Sequence, residues 1–331
     1  MKQRLDYIDI AKGIAIILVV ISHTAYPALM SYTLAFFVPV FFFCSGYTSS
    51  SLNDTSLTSN FWHHAVKLLK PYFFFSMVLL IAFQDFSLRA VFGIFYSRYC
   101  LYPFGTQPDI VHFMTVGNYP LWFLTCMVVA YLLYYLIVYH PRYQYYIATF
   151  YLLLTVVMQN LPILLPWSID TAFMMALFMF AGKLTRQYLP TLFERRPHLL
   201  VILSIVAYIA LIPLCFGINL SVRQYGFSVL VCMIAALTGS VVLIYLSRLL
   251  EKTIVGKGLQ QIGRHSLTLF CIQIPFILLG KTLAEWMLGG PADSQPTLVT
   301  TALIQASTAI ICGYLISVLL QWNGRIKKWI F

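Results

Sequence analysis

Long apolar runs dominate this chain. Ten can be read, with cores at residues 10–27, 34–50, 68–83, 121–138, 147–164, 169–184, 199–216, 227–246, 267–283 and 298–321. One helical crossing of a bilayer needs about 20 such residues. In hydrocarbon every backbone N–H and C=O must find its partner within the protein, so runs of this length predict helices. Membrane barrel strands alternate over about 10 residues, and the uniform apolarity excludes them. Composition agrees. Of 331 residues, 60% are hydrophobic and 9% charged, with mean hydropathy +0.83. A soluble domain carries about 25% charged residues, so this chain has too few to cover a water-facing surface. The reading is an all-α, polytopic membrane helical bundle of about ten transmembrane helices. Residues 1–331 form one integral-membrane domain, with the lipid bilayer as its first partner.

The few charges are lopsided. There are 21 Lys+Arg against 10 Asp+Glu, formally +11. With the N-terminus inside and ten alternating spans, 17 basic residues fall inside and 4 outside, the outer ones being Arg89, Arg98, Arg223 and Lys281. The acids divide evenly, as expected of a rule that counts only Lys and Arg. This split places both termini in the cytoplasm and predicts a multi-pass protein of the bacterial-type cytoplasmic (inner) membrane. The basic residues are scattered through apolar sequence, so nucleic acid is not an expected partner. The first run is too long for a signal peptide, and Asp6 and Asp9 occupy what should be a basic region. A semi-apolar stretch, residues 88–102, is expected to lie in the interface or re-enter. The seven Cys lack CxxC spacing and read as packing residues, not as a metal site.

A polar group inside a span is costly and is a functional hypothesis by default. In the first run, Lys12 and His23 are eleven positions apart, or about 20° past three turns at roughly 100° per residue. Asp9 falls on the same stripe and is read as a substrate contact. His23 is either a neutral imidazole serving as general base or a helix-end residue bonded to a nearby carbonyl. Ser45-Gly46 permits close approach of a ligand or a second helix. Lys67 and Lys70, three apart, suit a phosphate or simply inside-facing topology. Asn118 and Trp122 are i, i+4 around Pro120, reading as substrate contacts or as an interfacial belt. Asp170 is either the carboxylate that orients His23 or binds sugar hydroxyls, or a helix N-terminal acid. Arg264, His265 and Ser266 open the ninth run. Gln273 and Gln305 lie inside spans, where amides often join helices.

Together these residues resemble the acyltransferase 3 family of integral-membrane acyltransferases, with closest likeness to the branch that acetylates fucose-type sugars. The resemblance spans nearly the whole chain. It is carried by Asp9-x-x-Lys12-Gly13 followed by His23, by FFFCSGY from Phe41 to Tyr47, by the basic pair before Pro71-Tyr72, by PLWFL from Pro120, by PWSID ending at Asp170 and by IGRHSL from Ile262. It implies ten helices, an acyl-CoA donor on the cytoplasmic side and a carbohydrate acceptor. It assigns His23 as the catalytic histidine. Lys12, Lys67 and Lys70 stand where many members have Arg, so the charge is kept and the bidentate fork is lost. Gln273 stands where many relatives have His.

The mechanism so implied moves an acetyl group from acetyl-CoA to a sugar hydroxyl, with no permanently bound cofactor. Lys12, Lys67, Lys70 and Arg186 or Arg264 would hold the donor phosphates, and the pantetheine arm would reach up to His23. Ser45, Asn118 and Trp122 are the candidates for stabilising the oxyanion. The competing class is a secondary transporter or polysaccharide exporter with no acyl transfer, and a weaker one is a structural envelope subunit. Transporters often repeat broken helices in matching halves, and no such pairing is read here.

Overall fold

The computed structural model describes residues 4–26, 33, 35–49, 56–103, 119–195, 197–291 and 294–331. Among these residues no strand forms, and thirteen α-helices carry the fold: α1 (Asp6–Ser22), α2 (Pro39–Thr48), α3 (Leu57–Phe83), α4 (Leu88–Tyr96), α5 (Trp122–Val138), α6 (Gln144–Met158), α7 (Ile169–Arg195), α8 (Pro197–Leu211), α9 (Val229–Leu250), α10 (Ile254–Arg264), α11 (Ser266–Leu288), α12 (Gln295–Trp322) and α13 (Gly324–Ile330). Each of the ten apolar runs contains one helix. Five helices are long and apolar enough to cross a membrane: Leu57–Phe83, Pro166–Tyr188, Val229–Leu250, Ser266–Leu288 and Gln295–Trp322. Trp122–Val138, Gln144–Met158 and His198–Leu214 are apolar but shorter.

The run at 34–50 departs most from expectation. Turns occupy 35–38, and α2 begins only at Pro39, whose missing N–H costs nothing at a helix start. Ten residues span about 15 Å, half of a hydrocarbon core of about 30 Å. Pro39 through Cys44 are all buried, so α2 is an interior element. Other helices turn large apolar side chains outward. On α8, Ile202, Leu203, Val206 and Ile209 are each more than half exposed. Such a surface belongs in lipid, not water. The stretch at 88–102 forms α4, capped by the Ser87 hydroxyl accepting from the Ala90 N–H, with Leu88, Phe92 and Phe95 exposed. That is the pattern of a helix lying in the interface.

Glycines permit two close helix crossings. Gly46 of α2 lies against Met179 of α7, and Gly182 of α7 lies against Phe43 of α2. Likewise, Gly13 of α1 meets Leu259 of α10, and Gly263 of α10 meets Asp9 of α1. In each case a Cβ would collide with a backbone carbonyl. Small residues at membrane helix contacts work in this way, letting backbones approach. The α1–α10 contact fixes a short helix, absent from the hydropathy reading, beside Asp9. Phe41, Phe42, Phe123 and Phe270 then fill the centre by edge-on and tilted ring contacts.

Gly46→Val and Gly182→Val are each expected to lower stability by about 1–3 kcal/mol through overpacking. Thermal unfolding in detergent checks this, and wild-type midpoints for both would contradict the crossing as described.

Candidate active site

His23 ends α1. Its Nδ1 is 2.7 Å from the Val19 carbonyl. A carbonyl only accepts, so Nδ1 carries the proton, and in the neutral ring Nε2 carries the lone pair. The Ser22 hydroxyl donates to the same carbonyl at 2.7 Å, and the Thr24 hydroxyl donates to Ile21 O at 2.7 Å. These bonds satisfy carbonyls that a helix C-terminus leaves without partners. Beyond His23 the chain is pinned by Gln305. Its Oε1 accepts from the Ala25 N–H at 2.7 Å and its Nε2 donates to Ile277 O at 3.3 Å. Gln305 is thus the helix-joining amide that its position suggested. Gln273 is buried in α11, its Nε2 donating to Phe270 O at 3.2 Å.

The imidazole faces a cavity of about 220 Å³ lined by Val19, Ser22, His23, Phe37, Val38, Pro120, Trp122, Phe270 and residues 218–221. His23 and Trp122 thus line one cavity. Asn118 lies outside the described residues. Ser45 is turned away, its hydroxyl donating to Phe41 O at 2.8 Å on its own helix, and it does not line the cavity.

Asp170 corrects an expectation. The carboxylate does not orient His23, because two buried guanidiniums take it. Oδ1 accepts from Arg98, and Oδ2 is 3.0 Å from Arg223 Nε. The three side chains are 0–1% exposed. Backbone N–H groups of Leu165 and Thr171 also donate to this carboxylate, at 3.2 and 3.0 Å. Arg98 continues outward, donating to Leu165 O at 3.0 Å and to Ser221 O at 2.6 Å. Ser221 lines the His23 cavity. Asp170 thus acts on the wall of that cavity rather than on the imidazole, whose tautomer is set by Val19.

At the opposite end of α1 lies a second cavity, of about 580 Å³, lined by Arg4, Leu5, Ile8, Asp9, Lys12, Thr48 and Arg186. Asp9 is an ion-pair partner here, 2.5 Å from Arg4 Nε and 3.6 Å from Arg264 Nε. That places it about 21 Å along the helix from His23, too far to contact the same group. Arg264 also reaches Asp6 at 3.4 Å, so its charge is balanced by acids. Arg186 donates to Tyr47 O at 3.0 Å and lies over the Tyr47 ring. Lys67 and Lys70 are exposed on α3 and line neither cavity, Lys70 donating to Lys328 O at 3.4 Å. The buried face of α3 is instead Ala65, Tyr72, Phe75 and Leu79. At the start of α11, His265 Nδ1 is 2.8 Å from Ser317 Oγ. Burial and the nearby charges of Arg264, Arg4 and Lys327 hold that imidazole below its ordinary pKa.

A family model described as an acyltransferase domain matches residues 5–322. The chain belongs to the acyltransferase 3 family. No curated protein and no solved structure matches it significantly. This multi-pass membrane acyltransferase keeps a histidine at one end of its first helix and a basic cavity at the other. Sequence reasoning missed Arg4, Asn219 and Ser221, and left Arg98 and Arg223 without a role. The last two carried a signal, since both stand among the few basic residues on the side that should lack them.

Removing one partner of a buried ion pair leaves the other charge uncompensated and costs about 3–5 kcal/mol. Asp170→Asn and Arg98→Gln in the acyltransferase are expected to lose stability on that scale, with little dependence on salt because the group is buried. Unfolding midpoints at low and high ionic strength test both statements. A variant as stable as wild type, or a loss that vanishes with salt, would count against the buried triad.

Proposed function

We propose that this acyltransferase is an O-acetyltransferase of the bacterial cytoplasmic membrane. It moves an acetyl group from cytoplasmic acetyl-CoA to a hydroxyl of a cell-surface or lipid-linked carbohydrate, with fucose-type sugars the favoured class. About ten helices cross the membrane and both termini are cytoplasmic. One observation carries the reading: a single helix presents His23 to one cavity and Lys12 to another that also holds Arg4 and Arg186. Lys12 and His23 are about 16 Å apart along the axis.

The basic cavity takes the phosphates of the donor. Arg4 and Arg186 can offer guanidinium N–H groups, and Lys12 a point charge. The pantetheine arm runs along α1 and brings the thioester to His23. There Nε2 removes the hydroxyl proton as the sugar oxygen attacks the thioester carbonyl. Collapse of the tetrahedral oxyanion breaks the C–S bond. The leaving thiolate takes the proton from the imidazolium, giving an O-acetyl ester and free CoA thiol. The negative end of the α1 dipole faces the imidazolium while it exists. Trp122 Nε1–H is the candidate donor to the oxyanion.

Loss of a general base typically costs about 10²–10⁴-fold. His23→Ala, inserted and folded, is expected to lose thiol release from acetyl-CoA and acceptor to that extent. Lys12→Gln and Arg186→Gln should raise the KM for acetyl-CoA, while Lys67→Ala and Lys70→Ala should leave it unmoved. Wild-type thiol release by His23→Ala would overturn the mechanism, and uptake of labelled sugar without thiol release would favour a transporter.

A further inference from the structure

An antiparallel bridge shapes the His23 end. Asn219 and Gln224 exchange backbone hydrogen bonds at 2.9 and 3.0 Å. Asn219 lines the His23 cavity. Gln224, across the bridge, lines a separate cavity of about 420 Å³ together with Gln159, Asn160, Phe216, Arg223 and Tyr225. One small hairpin is therefore the partition between two cavities.

The second cavity has walls fixed in advance. Arg223 stands in the left-handed region at φ 58°. Its guanidinium donates to the carbonyls of Met158, Leu161 at 2.6 Å and Ile163 at 2.8 Å, and pairs with Asp170. One side chain thus ties the hairpin to the 158–163 segment that forms the facing wall, and preorganised walls spare a ligand the cost of ordering them.

The chemistry of the lining selects a class of ligand. Arg223 turns its terminal N–H groups to carbonyls and its charge to Asp170, so among the described residues the cavity offers no uncommitted cation to an anion. The side-chain amides of Gln159, Asn160 and Gln224 make no hydrogen bond among the described residues. Each carries two donors and an acceptor, which matches hydroxyl groups that both give and receive. Phe216 adds ring surface, with Tyr225 buried in the lining. Neutral amides beside aromatic rings suit an uncharged polyol.

We infer that this cavity is a carbohydrate subsite that holds the sugar unit adjoining the one presented to His23, so that the acceptor is an oligosaccharide or polymer end spanning the hairpin. The inference rests on the acceptor being a carbohydrate. Its test reads binding rather than acetyl transfer. Envelope glycan of the expressing cells, stripped of O-acetyl groups, is hydrolysed in part and separated into single sugars and oligosaccharides. Each fraction is titrated onto nanodisc-embedded protein. Wild type and His23→Ala should bind oligosaccharides more tightly than single sugars. Asn160→Ala combined with Gln224→Ala should weaken oligosaccharide binding about tenfold, the scale of one or two lost neutral hydrogen bonds. Gln224→Glu, which keeps the backbone bridge, should weaken it as well. Equal binding of the two fractions by wild type, or wild-type oligosaccharide affinity in these variants, overturns the subsite. Thiol release assayed on the same preparations separates the two questions: glycan binding without any thiol release refutes acetyl transfer and supports the subsite.

Discussion

Asp170 sits between Arg98 and Arg223 with almost no access to solvent, and the loops at the His23 end depend on that arrangement. Taking an ion out of water costs several kcal/mol after relaxation, and attraction offsets it only when the remaining polar atoms are also bonded. Here they are. The carboxylate receives backbone N–H groups as well as guanidiniums, and the guanidiniums spend their other donors on carbonyls of residues 158, 161, 163, 165 and 221. Those carbonyls belong to the end of α6 and to the short turns and loops around it, where helical bonding is incomplete. The triad and the loops therefore satisfy each other. The wall of the His23 cavity is a consequence of that mutual satisfaction.

Helix α1 transmits the same logic to the other end. Gly13 and Gly263 bring α10 against it, and this contact sets Arg264 beside Asp6 and Asp9. Arg264 is thus engaged by acids, whereas Lys12 and Arg186 border the cavity without an acidic partner at ion-pair distance among the described residues. On the proposed reading the donor phosphates need such cations, and a count of positive charges would not have distinguished them from Arg264. Between the ends, Ala15, Ile16 and Val19 of α1 are buried.

Much of this was legible in the sequence, and the limits have physical causes. The stripe of Asp9, Lys12 and His23 follows from helical periodicity, and the structure keeps all three on cavities of one helix. Asp170 was legible as an ionisable group in an apolar run, but its partners come from positions 98 and 223, which no local periodicity links to it. Spacing also showed that Lys67 and Lys70 share a face of α3. It did not show that this face lies away from the bundle, because that depends on where Tyr72, Phe75 and Leu79 pack. The helix at 254–264 escaped a hydropathy reading because its apolar positions are few and its length is short. Its Thr253 cap, accepting from the Gly256 N–H at 2.9 Å, was the available local signal.

Of the four basic residues that depart from the inside-positive pattern, Arg98 and Arg223 have a common explanation. The rule counts charges that must be kept from crossing a membrane, and it concerns residues left in water. Arg98 and Arg223 are folded into protein with a carboxylate between them, so little of their charge is presented at the surface. Lys281, another exception, stands 3.8 Å from Glu285 on an exposed helix face. The charge asymmetry of the whole chain is then sharper than a raw count suggests. On the proposed reading this has a chemical consequence. Phosphates are held where unbalanced cations lie, and the neutral amides at the far end leave the acceptor side free of groups that would compete for the donor. An apolar helix middle separates the two, which a thioester arm can traverse and a phosphate cannot, because an ion entering hydrocarbon-like surroundings without a partner is costly. The direction of acyl movement would thus be written in where charge is permitted, rather than in any moving part.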